Sequence, residues 1–268
     1  MMFHKINISL PLLKRGLSTP RNLKPQYKFV DIIPKKLQKQ INKIFEKPRE
    51  IPMIINGSKK WHKNIEVQSC PYNKKHIAYY PIADEITIDH AIKSTPSGKE
   101  SWNKLTLTEK YNVFETAADL IAGKYKYKML AATMVGQGKN MYQAEIDSIC
   151  ELVDFLNFNV FYHKQLMEEQ PISDIINSNS NPPLLDPNRT TVHNVSNWLP
   201  LDGFVASISP FNFTAIGGNL ASVPLLMGNS VIWKPSDYSI LSNYLFYEIM
   251  VEAGMPKNAI QFVPAHPI

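Results

Sequence analysis

Two short motifs near the end of this chain carry residues that could do chemistry: Ser209-Pro210-Phe211-Asn212-Phe213-Thr214 and Lys234-Pro235-Ser236-Asp237. Each follows a short apolar run. In the first, a carboxamide stands between two phenylalanines. An amide N–H held rigidly among aromatic rings can donate to an oxyanion and stabilise developing charge without reorganising. The plainer reading is an asparagine that caps the helix beginning just after it. In the second, a lysine fixed by a following proline ends the run, where its ammonium could reach a ribose hydroxyl or a phosphate. Ser236 and Asp237 could hydrogen-bond sugar hydroxyls. The plainer reading there is a strand-end lysine with Ser236 or Asp237 capping the next helix. Either motif alone is weak. They gain meaning together if the two runs are neighbouring strands of one sheet, because both then open on one crevice.

The surrounding sequence supplies such a frame. LDGFVASIS reads as a buried strand, Ala215 to Met227 as a helix, NSVIWK as a strand, Tyr238 to Ala253 as a helix stopped by Gly254 and Pro256, and AIQFV as a third strand. Strand–helix–strand–helix–strand with short connections builds a parallel sheet. Ligands of such sheets sit beyond the carboxyl ends of the strands, where both motifs fall. Gly217-Gly218 is not a dinucleotide fingerprint, since GxGxxG is absent, and close helix packing explains it. Gly136-Gln137-Gly138-Lys139 lacks the spacing of a phosphate loop, and helix termination accounts for its glycines.

Upstream, Ile32 to Phe45 is a short basic amphipathic stretch. IPMIINGSKKW reads as a strand closing in an Asn56-Gly57 turn, Cys70-Pro71-Tyr72-Asn73 as another turn, and HIAYYPI as a strand, so that residues 51–82 form a small antiparallel ribbon. Four helical segments follow. The first begins over Asp89 to Lys93. The second is capped by Thr108, carries Tyr111, Phe114, Ala118 and Ile121 on one face and ends at Gly123. The third runs to Val135. The fourth, from Tyr142 to about Leu166, places Ile146, Cys150, Val153 and Phe161 together and is closed by Pro171. Residues 172–200 begin with the Asn/Ser/Pro-rich SDIINSNSNPPLLDPNR, an exposed loop, and TTVHNVSNWLPL then supplies β structure leading back into the core.

These residues resemble the aldehyde dehydrogenase superfamily, in which an aromatic-Asn-Phe motif and a Lys-Pro-Ser motif recur at this spacing. SPFNFTAIGGNL, MVGQGK followed by QAEID, and EAGMPKNAIQFVPA are similar to its pyrroline-carboxylate branch, over about Ile51 to Pro264. The resemblance implies NAD-dependent oxidation of L-glutamate γ-semialdehyde to L-glutamate, in proline breakdown. It implies that Asn212 helps hold an oxyanion, and that Ser209 and Lys234 contact NAD with Ser236 beside them. Phe213 would line the aldehyde site, and Glu151 would be a second-layer substrate residue. For Glu151 the alternative is a helix-surface carboxylate, and both phenylalanines could be plain core, Phe211 above all.

The resemblance also implies parts that this sequence does not contain: a thiolate nucleophile, a glutamate general base and a second glycine-containing turn over the cofactor. Cys150, on a helix face among apolar neighbours, reads as a small buried hydrophobe. Cys70 has no histidine partner or helix N-terminus to lower its pKa. The expected fold class is therefore α/β, an incomplete doubly wound parallel sheet (the family's NAD-binding domain) preceded by a helical segment and a small β-ribbon. An exposed sheet edge and poor solubility follow. The expected divisions are a transit peptide at 1–26, ribbon and helices at 27–171, loop and β connection at 172–200, and the first half of the NAD-binding domain at 201–268. The alternative to a partial enzyme is a catalytically inactive remnant that binds nucleotide or pairs with a full-length homologue.

Composition narrows the remaining classes. Of 29 lysines and arginines, six lie in the first 30 residues (Lys5, Lys14, Arg15, Arg21, Lys24, Lys28) with no acidic residue, and the remainder carries 23 of each sign. The positive charge belongs to the leader, which disfavours a nucleic-acid surface. A basic, acid-free leader with a short apolar patch has the character of a mitochondrial transit peptide, so the matrix is the expected compartment. No run approaches the ~18 apolar residues of a membrane span. Two cysteines, Cys70 and Cys150, allow at most one disulfide and no metal cluster. The expected partner is a small aldehyde. The family is homo-oligomeric, and part of its interface uses residues that this sequence lacks.

Overall fold

The computed structural model describes residues 19–28, 32–171 and 194–266. Most of the expected transit peptide and most of the expected 172–200 loop lie outside the described residues.

The chain enters through α1 (Lys35–Glu46), whose buried Leu37 and Ile41 form one stripe. Five short strands follow: β1 (Arg49–Glu50), β2 (Met53–Ile55), β3 (Ser58–Lys60), β4 (Ile65–Ser69) and β5 (His76–Pro81). Asn56 and Gly57, at φ 50° and 72°, close the β2–β3 hairpin. The ribbon expected over 51–82 is divided between two sheets. β4 and β5 pair antiparallel, and β1 adds parallel to β5. β2–β3 joins a different sheet, because the buried run Met53-Ile54-Ile55 needs more apolar surface than a two-stranded ribbon offers.

The helical part departs from expectation mainly at its boundaries. α2 (Glu85–Asn103) starts at Glu85 rather than Asp89, since Asp84 accepts the Thr87 N–H at 2.8 Å. α3 (Leu107–Ala122) is capped by Thr106, not Thr108, because Thr106 and Glu109 form a reciprocal capping box. α4 (Lys126–Gln137) stops at Gly138, which takes φ 67°. The long fourth helix is interrupted: α5 (Met141–Glu145) passes through a π-helical turn (Ile146–Glu151) into α6 (Leu152–Glu168). The wider turn shifts the side-chain register. Ile146 is consequently 37% exposed, while Cys150, Val153 and Phe161 are buried.

β6 (Phe204–Ile208), α7 (Thr214–Leu226), β7 (Ser230–Lys234), α8 (Ile240–Glu252) and β8 (Ile260–Phe262) alternate as the sequence predicts. β6, β7 and β8 are parallel. β2 adds antiparallel to β8, giving the strand order β3-β2-β8-β7-β6. Among the described residues β6 is the outermost strand of this sheet, and Ala206 and Ile208, on one of its faces, are exposed where a buried strand is expected. No strand forms over residues 194–200, contrary to the β structure expected there.

Both faces of β7, the middle parallel strand, are covered. Trp233 of β7 meets Phe246 of α8 and Phe262 of β8 at ring distances of 6.1 and 5.4 Å. Its neighbour Ile232 points the other way, onto Ile88 and Ala91 of α2. Two covering helices contain a proline, Pro96 in α2 and Pro224 in α7. Each deletes a bond to the carbonyl four residues back. Hydroxyls fill the vacancies: Thr95 Oγ1 donates to Ile92 O, and Ser207 Oγ to Leu220 O, both at 2.7 Å.

Candidate active site

The two motifs meet. Ile208 and Lys234 are register partners at the carboxyl ends of β6 and β7, and the Ser209 N–H donates to Lys234 O at 3.1 Å. Both chains then turn into helices whose first amides need acceptors. Neither helix takes them from a local side chain. Phe213 precedes α7 and Ser239 precedes α8, and neither supplies a side-chain cap.

The acceptors come from the N-terminal half. Asp147, in the π-helical turn, is 1% exposed and accepts from Thr214 N at 3.0 Å and Ala215 N at 2.8 Å. Gln68 of β4 accepts from Leu241 N at 2.9 Å and donates to Tyr238 O at 2.6 Å. Asp147 therefore occupies the capping role that the plainer reading gave to Asn212. The Asn212 side chain is exposed and makes no hydrogen bond among the described residues.

Asp147 also accepts from Lys139 Nζ at 2.6 Å, and that ammonium lies 4.0 Å from the centroid of the Phe213 ring. Phe213 is half-buried and clamped by this cation. Phe211 is 61% exposed and rests edge-on against Tyr238 at 6.3 Å, so the core role expected for it does not hold. At a strand exit the chain has left the sheet, and only Tyr238 is there to cover the ring. Glu151 is half-buried. Burial and then the nearby Asp147 charge raise its pKa, and Lys139 partly offsets them. It thus shares an electrostatic environment with the residues that hold Phe213.

At the β6 exit, Ser209 is buried, and its hydroxyl accepts from Trp233 Nε1 at 3.1 Å and Asn243 Nδ2 at 3.4 Å. Lys234 is half-exposed and has no carboxylate partner among the described residues. Ser236 Oγ accepts from Tyr238 N at 3.4 Å. Asp237 keeps one buried carboxylate oxygen without a partner. Beside it, burial and the Asp237 charge hold the Tyr80 phenol protonated. A hollow of about 280 Å³ between β4 and Asp237 is lined by Gln68, Tyr80, Tyr238 and His266. Larger hollows at α1 and α8 contain none of the nominated residues.

Gly217 and Gly218 do serve close packing: a Cβ on Gly217 would stand 2.7 Å from Asn243 Oδ1, and one on Gly218 2.9 Å from Leu152 Cδ1. Both cysteines are buried, and burial, followed by Glu145 and Asp154, pushes the Cys150 thiol up to about 11. Among the described residues there is no cluster that could hold a metal ion, and no helix is long and apolar enough to cross a membrane.

Parallel strands joined by helical crossovers, with polar motifs converging beyond their carboxyl ends, define the class as an α/β unit. Residues 57–267 match the aldehyde dehydrogenase family, and the chain belongs to that family. It is 45% identical over 220 residues to a probable delta-1-pyrroline-5-carboxylate dehydrogenase of Schizosaccharomyces pombe, covering 82% of this chain and 38% of the relative. The mitochondrial delta-1-pyrroline-5-carboxylate dehydrogenase of Homo sapiens is 42% identical over 230 residues, covering 85% of this chain and 38% of the relative. The Mycobacterium tuberculosis delta-pyrroline-5-carboxylate dehydrogenase solved with NAD superposes with a TM-score of 0.82 at 35% identity, over 94% of this chain and 45% of that one. The chain spans 38% of the length of these curated relatives.

Sequence reasoning missed Asp147, Lys139 and Gln68. The first two lie in MVGQGK and QAEID, which resemble the family without revealing a role. Asp147 and Gln68 cap α7 and α8 across 67 and 173 residues, and Lys139 acts through Asp147, so no local spacing pattern could expose them.

Proposed function

We propose that this chain forms the cofactor-binding and oxyanion-holding part of an NAD-dependent dehydrogenase that oxidises L-glutamate γ-semialdehyde to L-glutamate in the mitochondrial matrix. The observation that carries the reading is the free carboxamide of Asn212. With Asp147 capping α7, the Asn212 side chain at the mouth of the crevice is left to donate to an external oxyanion. The mitochondrial names of several relatives support the compartment, and the basic character of residues 1–26 supports a transit peptide.

The residues at the strand ends fit NAD. The Lys234 ammonium has no internal counter-ion among the described residues, and Asp237 has an unpartnered buried oxygen that could accept a sugar hydroxyl. Ser236 stands between these two residues in the sequence, and Ser209 follows the neighbouring strand β6. Bound NAD supplies the hydride acceptor. Asn212 donates to the oxygen that gains charge when a nucleophile adds to the aldehyde. Phe213, held by Lys139, offers the aldehyde an apolar wall. Glu151, whose pKa is raised, faces the same neighbourhood as a carboxyl able to meet a polar substrate group.

Equilibrium titration with NAD tests the cofactor half of this reading. The chain should bind NAD, and Lys234→Ala should weaken binding by about tenfold, roughly 1.4 kcal/mol, without lowering stability. Failure to bind NAD would overturn it. A second reading, an inactive relative that only binds nucleotide, is favoured by the burial of both Cys70 and Cys150. Transcripts read past Ile268 separate the two: an open frame encoding a cysteine nucleophile supports the enzyme, and a stop codon in independent transcripts supports the binder.

A further inference from the structure

Among the described residues, Lys110 is a buried cation with no carboxylate partner. Lys126 and Lys139, with side chains 12% and 15% exposed, each pair with a carboxylate that is 1% exposed, Glu145 at 2.9 Å and Asp147 at 2.6 Å. Lys110 is 6% exposed, yet no carboxylate pairs with it among the described residues. Its Nζ donates once, to Asn103 Oδ1 at 2.7 Å, and lies 5.5 Å from the centre of the Trp102 indole. The Asn103 amide is spent on Gly228 O at 2.8 Å. An uncompensated ammonium is unfavourable in such a setting, and burial lowers the pKa of Lys110.

The ammonium borders a cavity of about 510 Å³ at the opposite end of β7 from Lys234. His163 lines the same cavity. It is 5% exposed, its Nδ1 is 2.8 Å from the Tyr111 hydroxyl, and its Nε2 has no partner among the described residues. The remaining walls include Met167, Trp198, Leu226 and Met227. Lys110 donates at one wall, joined by His163 Nε2 in the tautomer whose Nδ1 accepts from Tyr111, and beside the apolar side chains of Met167, Trp198 and Met227 this suits a ligand with an anionic head and an apolar body.

We infer that this cavity is a second ligand site, separate from the strand-end crevice, and that it takes small organic carboxylates whose head pairs with Lys110 and whose carbon chain lies against Met167, Trp198 and Met227. The site does not depend on the dehydrogenase reading, because it uses none of the residues placed in the crevice.

Hexanoate and the isosteric neutral hexanamide, titrated into the intact chain, test the inference through intrinsic tryptophan fluorescence, since Trp198 lines the cavity. Hexanoate should give a saturable change, and hexanamide should bind at least about tenfold more weakly. Lys110→Met should abolish this preference and Lys110→Arg should retain it. No saturable response to hexanoate, equal binding of acid and amide, or a preference that survives Lys110→Met would overturn the site. If Lys110→Met does not fold, the acid–amide comparison and Lys110→Arg still decide.

Discussion

The carboxylate of Asp147 caps the helix that Asn212 introduces, at 3.0 and 2.8 Å from the amides of Thr214 and Ala215. A residue of the helical half thereby fixes the loop that carries the candidate oxyanion donor, and that donor is spared structural work. The two residues should respond oppositely to truncation. Asp147→Ala strands two helix amides and leaves Lys139 unpaired, so it should destabilise the chain by about 3 kcal/mol. Asn212→Ala should change stability by less than about 0.5 kcal/mol. Urea unfolding of both variants measures this, and a large loss for Asn212→Ala would restore the capping role to that residue.

Gly217→Ala should be destabilising although alanine favours helices. The added methyl carbon would lie 2.7 Å from Asn243 Oδ1, and Asn243 is tied to Ser239 Oγ at 2.9 Å and Ser209 Oγ at 3.4 Å. Relief by moving Asn243 would disturb the strand-end serine. An overpacking cost of about 1–3 kcal/mol is expected in a thermal or urea melt.

Acidification should cost stability through His163. Burial and the neighbouring Lys110 charge hold its pKa below 6.5 in the folded chain. The unfolded chain therefore binds the proton first, and stability is complete above pH 6.5 and falls as pH drops from 6.5 toward the lowered folded value. Comparing melting temperature against pH for the wild type and His163→Gln isolates this share. Asp84, Glu109 and Glu252, whose pKa values are lowered, lose their contribution in a separate and more acidic window.

The free edge of β6 should promote self-association. Ile208, at its end, is 71% exposed beside the exposed Phe211. An unpaired edge with apolar side chains is a template for another strand. Ile208→Lys should raise the concentration at which sedimentation or light scattering first detects oligomers. An unchanged onset would place the sticky surface elsewhere.

The crossover architecture was readable because each element carries its own pattern. FVASI and VIW are predominantly apolar runs, Gly254-Met255-Pro256 stops α8, and the two polar motifs fall where the strands end. Three things escaped for one reason, that they depend on residues far apart in the chain. The caps of α7 and α8 come from Asp147 and Gln68. The β2–β3 hairpin has the right turn but joins a partner strand at the other end of the chain. The solvent exposure of Ile208 depends on what does not pair with β6. The π-helical turn escaped differently: Ile146 and Cys150 have ordinary helical spacing, and only the inserted register reveals that they part company.

The seating of β2 beside β8 has a consequence for synthesis. The Asn56 amide donates to the Gln261 side chain across 205 residues of sequence, so the hairpin leaves the ribosome long before the strand that completes it. Until then Met53, Ile54 and Ile55 have no sheet to enter. High contact order of this kind slows folding and prolongs the life of sticky intermediates. Between the emergence of β2 and that of β8, these three side chains stay open to contacts outside the native fold. A translational pause between β3 and β8 would lengthen that interval.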